Sequence, residues 1–295
     1  MSATVRYGQV QRSAMNWPFF VAHDLDLFAA QGLEVRYEIF TSPPEPVRAL
    51  ISGSLDLINV IPDVALVEMA NGAPLRVIAG TNVGFQYRLM AKPEIQAIPA
   101  LRARRIGVND SRSAEALLLH KLLRRGGIEA GSYELVSAGP PPERCERLKE
   151  GAIDATMVTE PFHFVLEEAG FRMLGCSLDV APDYPFTMCL VRYEHAISDA
   201  LVRFVRALRA AWLWLRERAN RDKAVAILSR CTATAPRHAE LTYDLYFSRP
   251  SPPRLAPDPR GIAVLLDLLI ESGKLSSRPD PERLIDRRYV QASME

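Results

Sequence analysis

Two segments of this chain repeat one pattern. Gly53-Ser54-Leu55-Asp56-Leu57 and Gly151-Ala152-Ile153-Asp154-Ala155 each follow an amphipathic helical pattern, and each runs into an apolar stretch that ends at Pro62 or Pro161. A glycine that stops a helix directly before a buried strand is typical of α/β units. The repeat therefore predicts two related α/β lobes, which can hold a small molecule in a cleft between them.

Composition narrows the class of partner. The chain has 295 residues, 48% of them apolar, which is enough for two cores. Lys and Arg number 36 against 35 for Asp and Glu, so the formal net charge is +1. Because no global charge attracts nucleic acid or anionic lipid, we expect a small-molecule ligand and no nucleic acid.

The apolar runs bear on location. None approaches the roughly 18 residues that a membrane helix needs, so we expect no membrane insertion. Met1 to Thr4 leads almost directly into a strand pattern. We therefore expect either a cytoplasmic protein or one whose export signal was removed before this numbering begins.

Short apolar runs alternate with helical patterns in both halves of the chain. The pattern predicts a helix from Pro18 to Gln31 and strands over residues 33–40 and 105–108. This βαβ order predicts mainly parallel strands, and residues 86–91 and 186–192 are predicted to form a two-stranded hinge. A long helix is predicted from Asp199 to Ala219, with an apolar stripe that includes Leu201, Phe204 and Trp212. We expect the C-terminal helices to pack on the first lobe. The predicted domains are lobe 1, residues 1–88 with 189–295, and lobe 2, residues 89–188.

Polar side chains follow the predicted strands, where open α/β sheets bind ligands. The candidates in lobe 1 are Arg12, Ser13, Asn16, Thr41, Ser42, Asn59, Asp63, Thr81 and Asn82. Turn chemistry alone also selects Asn, Ser and Thr, so both interpretations stay open. Ser42-Pro43-Pro44-Glu45 in addition predicts a capping box at a helix start.

The most suggestive loop of lobe 2 is a polar turn that enters a helix. Asn109, Ser111, Arg112 and Ser113 offer hydroxyls, amides and a guanidinium to an oxyanion. Simple N-capping by Ser111 or Ser113 explains the serines equally well.

Three aromatic residues fall at predicted cleft edges or hinge strands. Trp17, Tyr87 and Tyr184 can cover a flat ligand, although ordinary packing of aromatic side chains is the alternative for each of them.

Two carboxylates follow equivalent strands. Asp63 and Glu160 are candidates for a pair of carboxylates across the cleft, and dipole complementarity at a helix start is the alternative explanation.

The histidines and cysteines show no pattern of a metal or cofactor site. Of the histidines, His163 lies one turn from Glu160, and none has metal-ligand spacing. With no GxGxxG, P-loop, GxSxG or CxxC pattern, we predict no cofactor, no metal and four free cysteines.

Several motifs resemble a known family. The run Pro18-Phe19-Phe20-Val21-Ala22, the segment from Phe28 to Val35, and Asn71-Gly72-Ala73-Pro74-Leu75 resemble substrate-binding proteins of the nitrate, sulfonate, taurine and thiamine-precursor type. Thr159-Glu160-Pro161-Phe162 and Leu284-Ile285-Asp286 are similar to its later signatures.

The resemblance implies a type 2 periplasmic-binding-protein fold that closes by hinge motion on a solute. It also implies a monomer that hands the solute to an ABC permease, with a periplasmic location if a signal was removed. Enzymes of the same family include a sulfinate-cleaving one with a cysteine near the first strand, whereas the loop from Gln11 to Asn16 has none.

We therefore expect a solute-binding protein for a small, anionic organic molecule such as a sulfonate, an aromatic carboxylate or a pyrimidine-like compound. Arg12 or Arg112 with helix amides would hold the acidic group, and an aromatic residue would cover the organic body. The alternatives are an enzyme of the same fold, such as a lyase using Asp63, Glu160 or His163, and a small-molecule sensor.

Overall fold

The computed structural model describes residues 2–10, 12–80, 86–111, 113–247 and 255–295. It divides the chain into two compact units. Lobe 1 comprises Met1–Gly84, Pro185–Leu266 and Leu275–Glu295, and lobe 2 comprises Phe85–Tyr184 and Asp267–Lys274. The C-terminal part of the chain thus contributes to both units, whereas the sequence analysis assigned all of it to lobe 1.

The strands are β1 (Ala3–Val10), β2 (Leu33–Phe40), β3 (Leu57–Val60), β4 (Leu75–Gly80), β5 (Arg88–Ala91), β6 (Arg105–Val108), β7 (Glu134–Ser137), β8 (Ala155–Val158), β9 (Arg172–Cys176) and β10 (Met188–Arg192). Each lobe contains one five-stranded sheet. The order is β2-β1-β3-β10-β4 in lobe 1 and β7-β6-β8-β5-β9 in lobe 2.

The α-helices of the described residues are α1 (Trp17–Asp24), α2 (Leu27–Ala30), α3 (Pro44–Ser52), α4 (Asp63–Ala70), α5 (Ala114–Arg125), α6 (Pro141–Lys149), α7 (Phe162–Glu168), α8 (Asp199–Arg216), α9 (Arg221–Thr232), α10 (Pro236–Phe247), α11 (Pro259–Glu271) and α12 (Arg288–Ala292). The apolar stripe predicted for α8 is confirmed, because Leu201, Phe204 and Trp212 are buried. None of these helices combines the length and apolar character required to span a membrane.

Both sheets are mixed. In each sheet four of the five strands run in one direction, as the βαβ order predicts, and one strand runs against them. β1 is parallel to β2 and β3, but β10 runs antiparallel between β3 and β4. In lobe 2, β5 likewise runs antiparallel between β8 and β9. The two segments that were expected to form a hinge, β5 and β10, pair inside the sheets, where a central strand satisfies its backbone groups on both sides.

Two local predictions near the start of the chain are wrong. The helix expected from Pro18 to Gln31 is two helices, α1 and α2, because Asp26 adopts φ +54° between them. The capping box is absent too. Pro43 occupies the N-cap of α3, and no side chain caps that end.

The repeated motif has the same conformation in both lobes. Gly53 follows α3 at φ +82°, and Gly151 follows α6 at φ +76°. This region of backbone space is open to glycine at little cost, and it turns the chain from each helix toward the next strand.

The repeated aspartates form hydrogen bonds between the motif and a neighbouring strand. The Asp56 amide donates to Arg6 O at 2.9 Å, and the Arg6 amide donates to Asp56 Oδ2 at 2.8 Å. In lobe 2 the Asp154 amide donates to Arg105 O at 2.7 Å, and the Arg105 amide donates to Asp154 Oδ2 at 2.9 Å. The repeat is therefore a structural support for each sheet.

Candidate functional site

The loop after β1 carries an unsatisfied hydroxyl. Ser13 has extended backbone and only 5% exposure, and its Oγ makes no hydrogen bond to any residue that the structure describes. A buried hydroxyl without a partner costs about 1–3 kcal/mol. A polar atom of a ligand or a water molecule would remove this cost.

Next to this loop, three buried side chains form a hydrogen-bonded group. Asn59 Nδ2 donates to Asn16 Oδ1 at 3.0 Å and to Thr187 Oγ1 at 3.2 Å. Asn59 lies on β3, and its sheet partner on β10 is Cys189. The carboxyl end of β3 and the residue before β10 thus present amide and hydroxyl groups together.

Other buried groups near the same strands are also uncharged at neutral pH. Tyr7 OH donates to Gln9 Oε1 at 3.0 Å, and burial raises the pKa of Tyr7 well above its usual value. Burial also raises the pKa of Cys189 to about 12. This set of side chains offers donors and acceptors without a net charge.

Ser13, Asn16 and Asn59 were predicted from their positions after strands, whereas Thr187 and Gln9 were not predicted. Gln9 lies inside the β1 pattern, where alternation gives no sign of a polar role. Thr187 immediately precedes β10, so a search of the residues before an antiparallel central strand would have included it.

The remaining predicted residues of lobe 1 have varied surroundings. Arg12 and Thr41 are exposed, and Ser42 is half-buried. Asp63 is buried at the first position of α4, where a carboxylate complements the helix dipole. Thr81 and Asn82 lie outside the described residues.

Trp17 has the geometry of a core residue. Its indole Nε1 donates to Ala224 O at 3.1 Å, and its ring meets Tyr243 and Phe247 edge-on at 6.0 and 5.5 Å. These contacts fully account for the position of the side chain by packing, the alternative that the sequence left open.

In lobe 2, the polar turn after β6 begins with Asn109 and Ser111, both exposed. Ser113 is the N-cap of α5, and its Oγ accepts from the Ala116 amide at 3.2 Å. Capping therefore accounts for Ser113, while Arg112 lies outside the described residues.

A buried ion pair lies behind this turn. Arg144 on α6 donates through Nη1 to Glu115 Oε1 in the first turn of α5. Burial raises the pKa of Glu115 even though Arg144 and the Asn109 amide both favour the carboxylate. The sequence analysis missed both residues because charged side chains on amphipathic helices are usually exposed.

A second buried group follows β8. Glu160 is 1% exposed and pairs with Arg88, the first residue of β5. His163 Nδ1 lies 3.8 Å from Glu160 Oε1. The peptide bond between Glu160 and Pro161 is cis. The sequence placed Glu160 and His163 together correctly but missed Arg88.

Tyr87 and Tyr184 lie near each other within lobe 2. Their ring centroids are 6.5 Å apart, and both side chains are buried. The Tyr87 amide donates to Ser177 Oγ at 3.0 Å, and the Ser177 amide donates to Tyr87 O at 2.8 Å. These bonds fix the backbone at the start of the second lobe.

Across the described parts of the chain, no three side chains of His, Cys, Asp or Glu come together in a way that could hold a metal ion. The described cysteines are free thiols, and burial raises the pKa of Cys145 to about 11.

The family model described as NMT1-like matches residues 2–229. The chain belongs to the NMT1-like family. Among curated proteins, a protein of Brucella abortus (strain 2308) named as a binding protein is 24% identical over 196 residues. The match covers 65% of this chain and 60% of that relative, so the chain spans less than two thirds of the relative's length.

Solved structures show the same fold over nearly the whole chain. The ligand-binding component of an ABC-type import system from Staphylococcus aureus, solved with zinc bound, has a TM-score of 0.80 at 17% identity and covers 98% of each chain. The alkanesulfonate-binding protein SsuA from Xanthomonas axonopodis pv. citri, bound to MOPS, has a TM-score of 0.75 at 19% identity, with 97% and 98% covered. The predicted two-lobed fold and the resemblance to substrate-binding proteins are confirmed.

Proposed function

We propose that this NMT1-like protein binds a small organic solute at the carboxyl ends of its sheet strands. The observation that carries the proposal is the buried Ser13 hydroxyl without a partner, beside the uncharged group of Asn16, Asn59 and Thr187. Buried polar groups normally have hydrogen-bond partners, and a ligand would complete this set.

We further propose that the solute carries a sulfonate or carboxylate group. The bound MOPS in the similar SsuA structure supports this choice, since MOPS is a sulfonate. In this chain, exposed Arg12 adjoins Ser13, and the turn at Asn109 precedes the N-terminus of α5. A guanidinium and helix-start amides are the groups that bind such anions.

A partnership with an ABC permease and a periplasmic location belong to the same proposal. The ABC-type import system of the Staphylococcus aureus protein supports the partnership. The periplasmic aliphatic sulphonate-binding protein SsuA from Escherichia coli, which has the same fold, supports the location. The interlobe cleft predicted from the sequence stays a prediction, and small-angle scattering with and without a ligand would test closure.

A thermal-shift screen tests the proposal directly. Alkanesulfonates, aromatic carboxylates and pyrimidines should include a compound that raises the melting temperature. At 100 times its dissociation constant, that compound would add about 2.7 kcal/mol to the free energy of unfolding. If no compound in these classes shifts the melting temperature, the proposal fails, and if the best one is consumed, the protein is an enzyme.

A serine variant then tests the location. Ser13→Ala should weaken binding of the best compound about 3- to 10-fold, the value of one neutral hydrogen bond. Its ligand-free melting temperature should stay close to that of the wild type because the hydroxyl makes no bond to lose. Ser52→Ala, at the exposed end of α3, is the matched control and should bind normally.

A further inference from the structure

We propose that a second copy of this chain pairs with β2, the edge strand of the lobe 1 sheet, and forms a symmetric dimer. The two copies of β2 run antiparallel in this dimer, with Tyr37 opposite Tyr37 of the second copy. The proposal departs from the monomer that the family resemblance implies. It does not depend on the proposed solute binding, because it uses only the outer edge of one sheet.

The outer edge of β2 is open along the whole strand. β2 is the end strand of its sheet, and its pairing with β1 is continuous from Leu33 opposite Ala3 to Phe40 opposite Val10. On the other side of β2, no described residue forms a backbone hydrogen bond to the strand. Unpaired N–H and C=O groups on an edge strand are a template for pairing with another strand.

The other sheet edges are covered or short. On the far edge of the lobe 1 sheet, Val77 of β4 forms a bridge with Ile285, and its carbonyl accepts from the Asp286 amide at 2.9 Å. In lobe 2, the edge strands β7 and β9 span four and five residues. β2 spans eight residues and contains no proline, no lysine and no bulge, which are common protections of an edge.

The direction of the backbone groups limits how two copies of β2 can pair. The Ala3 amide donates to Gly32 O at 3.0 Å, so the backbone of Gly32 faces β1. Backbone groups point to alternate sides along a strand, so the even-numbered residues of β2 bond to β1. The residues whose N–H and C=O groups point away from the sheet are Leu33, Val35, Tyr37 and Ile39. In an antiparallel dimer these residues must lie opposite one another.

Charge then selects the register. Glu34, Arg36 and Glu38 are exposed and share one face of β2. Only two of the permitted registers pair seven residues of β2 with seven of the second copy. In one of them Arg36 lies opposite Arg36 and Glu34 opposite Glu38, which places like charges together. In the other, Tyr37 lies opposite Tyr37, and two pairs of Arg36 with Glu38 join the copies. Opposite charges across a strand pair are stabilising and like charges destabilising, so the Tyr37 register is favoured.

The other face of β2 also fits this register. Val35 lies opposite Ile39 of the second copy, so two pairs of β-branched side chains flank the central tyrosines. Tyr37 is 39% exposed, and its ring meets Phe19 of its own chain edge-on at 5.5 Å. A second Tyr37 would bury more of this ring, and aromatic and β-branched cross-strand pairs stabilise a sheet.

Sedimentation equilibrium of the full chain at several concentrations tests the dimer. We expect reversible dimerisation with a dissociation constant of about 1–100 μM, as for a small interface. A monomer alone at about 1 mM chain would overturn the proposal.

Charge reversal tests whether β2 forms the interface. Arg36→Glu and Glu38→Arg should each weaken dimerisation about 10-fold or more, because each places like charges in both cross-strand pairs. The double variant Arg36→Glu/Glu38→Arg restores opposite charges in the Tyr37 register, and its dissociation constant should return to within about 3-fold of the wild-type value. A dimer that neither single variant weakens would lie on another surface, which contradicts the proposal.

The matched control is an exposed glutamate on the edge strand of lobe 2. Glu134→Arg on β7 makes the same change of charge as Glu38→Arg and should leave the dissociation constant within about 2-fold of the wild type. An equal loss in both variants would show a general effect of net charge and would argue against a specific role for β2.

Disulfide cross-linking tests the register itself. In the Tyr37 register the two Cα atoms of residue 37 lie about 5.5 Å apart, which a disulfide can span. The two Cα atoms of residue 35 lie roughly 13 Å apart, which is too far. Under mild oxidation, Tyr37→Cys should therefore give a covalent dimer, whereas Val35→Cys, which retains the same four native cysteines, should not. A covalent dimer from Val35→Cys alone, or from neither variant, would contradict the proposed pairing.

Discussion

In both lobes the same contact supports the sheet at the repeated motif. Asp56 exchanges hydrogen bonds with the backbone of Arg6, and Asp154 does so with Arg105. The match extends to a glycine on the neighbouring strand. A Cβ atom added at Gly8 would lie 2.5 Å from Leu55 Cδ1, and one added at Gly107 would lie 2.5 Å from Ile153 Cδ1.

At the carboxyl ends of the strands the two lobes differ. Lobe 1 presents the neutral group of Asn16, Asn59 and Thr187. Lobe 2 presents the pair Arg88–Glu160 after β8, and Arg144 is buried in the same lobe. Among the described residues of lobe 1, no lysine or arginine is buried.

The internal repeat therefore marks the supports of the sheets and not the chemistry of the site. The hydrogen bonds that Asp56 and Asp154 make to a neighbouring strand require one backbone geometry, so both copies of the repeat have that geometry. The strand ends have no such requirement, and each lobe carries its own polar groups there. Neutral and charged groups also respond differently to substitution, which makes the comparison testable.

The largest expected effect is at the buried ion pair of lobe 2. Arg88→Met leaves Glu160 buried without its cation and should lower the free energy of unfolding by about 3–5 kcal/mol. Asn59→Ala, the neutral counterpart in lobe 1, should cost about 1–3 kcal/mol. Urea unfolding measures both.

The control is Arg36→Met, which breaks the exposed pair with Glu34 and should change stability by no more than about 0.5 kcal/mol. If Arg88→Met lowers the free energy of unfolding no more than Asn59→Ala does, the proposed difference between the strand ends of the two lobes is contradicted.

The repeated aspartates give a smaller, pH-dependent effect. Burial opposes ionisation of Asp154, but Lys92 and Arg105 outweigh it and lower the pKa of its carboxyl. Burial likewise opposes ionisation of Asp56, and bonds from Arg6 outweigh it and lower that pKa. Both pKa values are lower in the folded state than in the unfolded state. The two carboxylates therefore stabilise the folded state fully well above pH 4, and this stabilisation is lost as the pH falls below about 4.

Asp154→Asn should therefore lower the free energy of unfolding by about 1.5–3 kcal/mol at pH 7. The difference in this free energy between the variant and the wild type should shrink below pH 4. Asp56→Asn should cost less, because the side chain is 27% exposed against 8% for Asp154. Unfolding curves at several pH values measure both variants. A difference that is constant down to pH 2 would contradict the electrostatic explanation.

The smallest expected effect on stability is at the N-termini of two helices, α5 and α3. Ser113→Ala removes the cap of α5 and should cost about 1 kcal/mol. Ser42→Ala precedes α3, where no side chain caps the helix, and should stay within about 0.5 kcal/mol of the wild type. Thermal unfolding of the two variants measures this contrast. Equal losses would mean that Ser42 contributes a cap that the structure does not contain.

The spacing of apolar residues in the sequence predicted much of the fold. The bounds predicted for β2 and β6 are those observed, and the stripe on α8 is buried. Strand direction was harder, because β5 and β10 have the apolar character of any central strand whichever way they run. The break between α1 and α2 was missed because one left-handed residue, Asp26, interrupts a pattern that is otherwise helical.

The site was predicted less completely, for a physical reason. Spacing placed Ser13, Asn16 and Asn59 at strand ends, and the structure brings Asn16 and Asn59 into contact. Arg88 and Arg144 were missed because sequence patterns treat arginine as a surface residue, and only a three-dimensional partner makes its burial tolerable.

The proposed function requires that this chain hold a small organic solute without transforming it. Calorimetric titration of the best compound from the thermal-shift screen, followed by mass spectrometry of the recovered compound, tests it most directly. We expect saturable binding of one molecule per chain, weakened in Ser13→Ala, and recovery of an unchanged compound. Absence of saturable binding throughout the three compound classes, or recovery of a converted product, would contradict it.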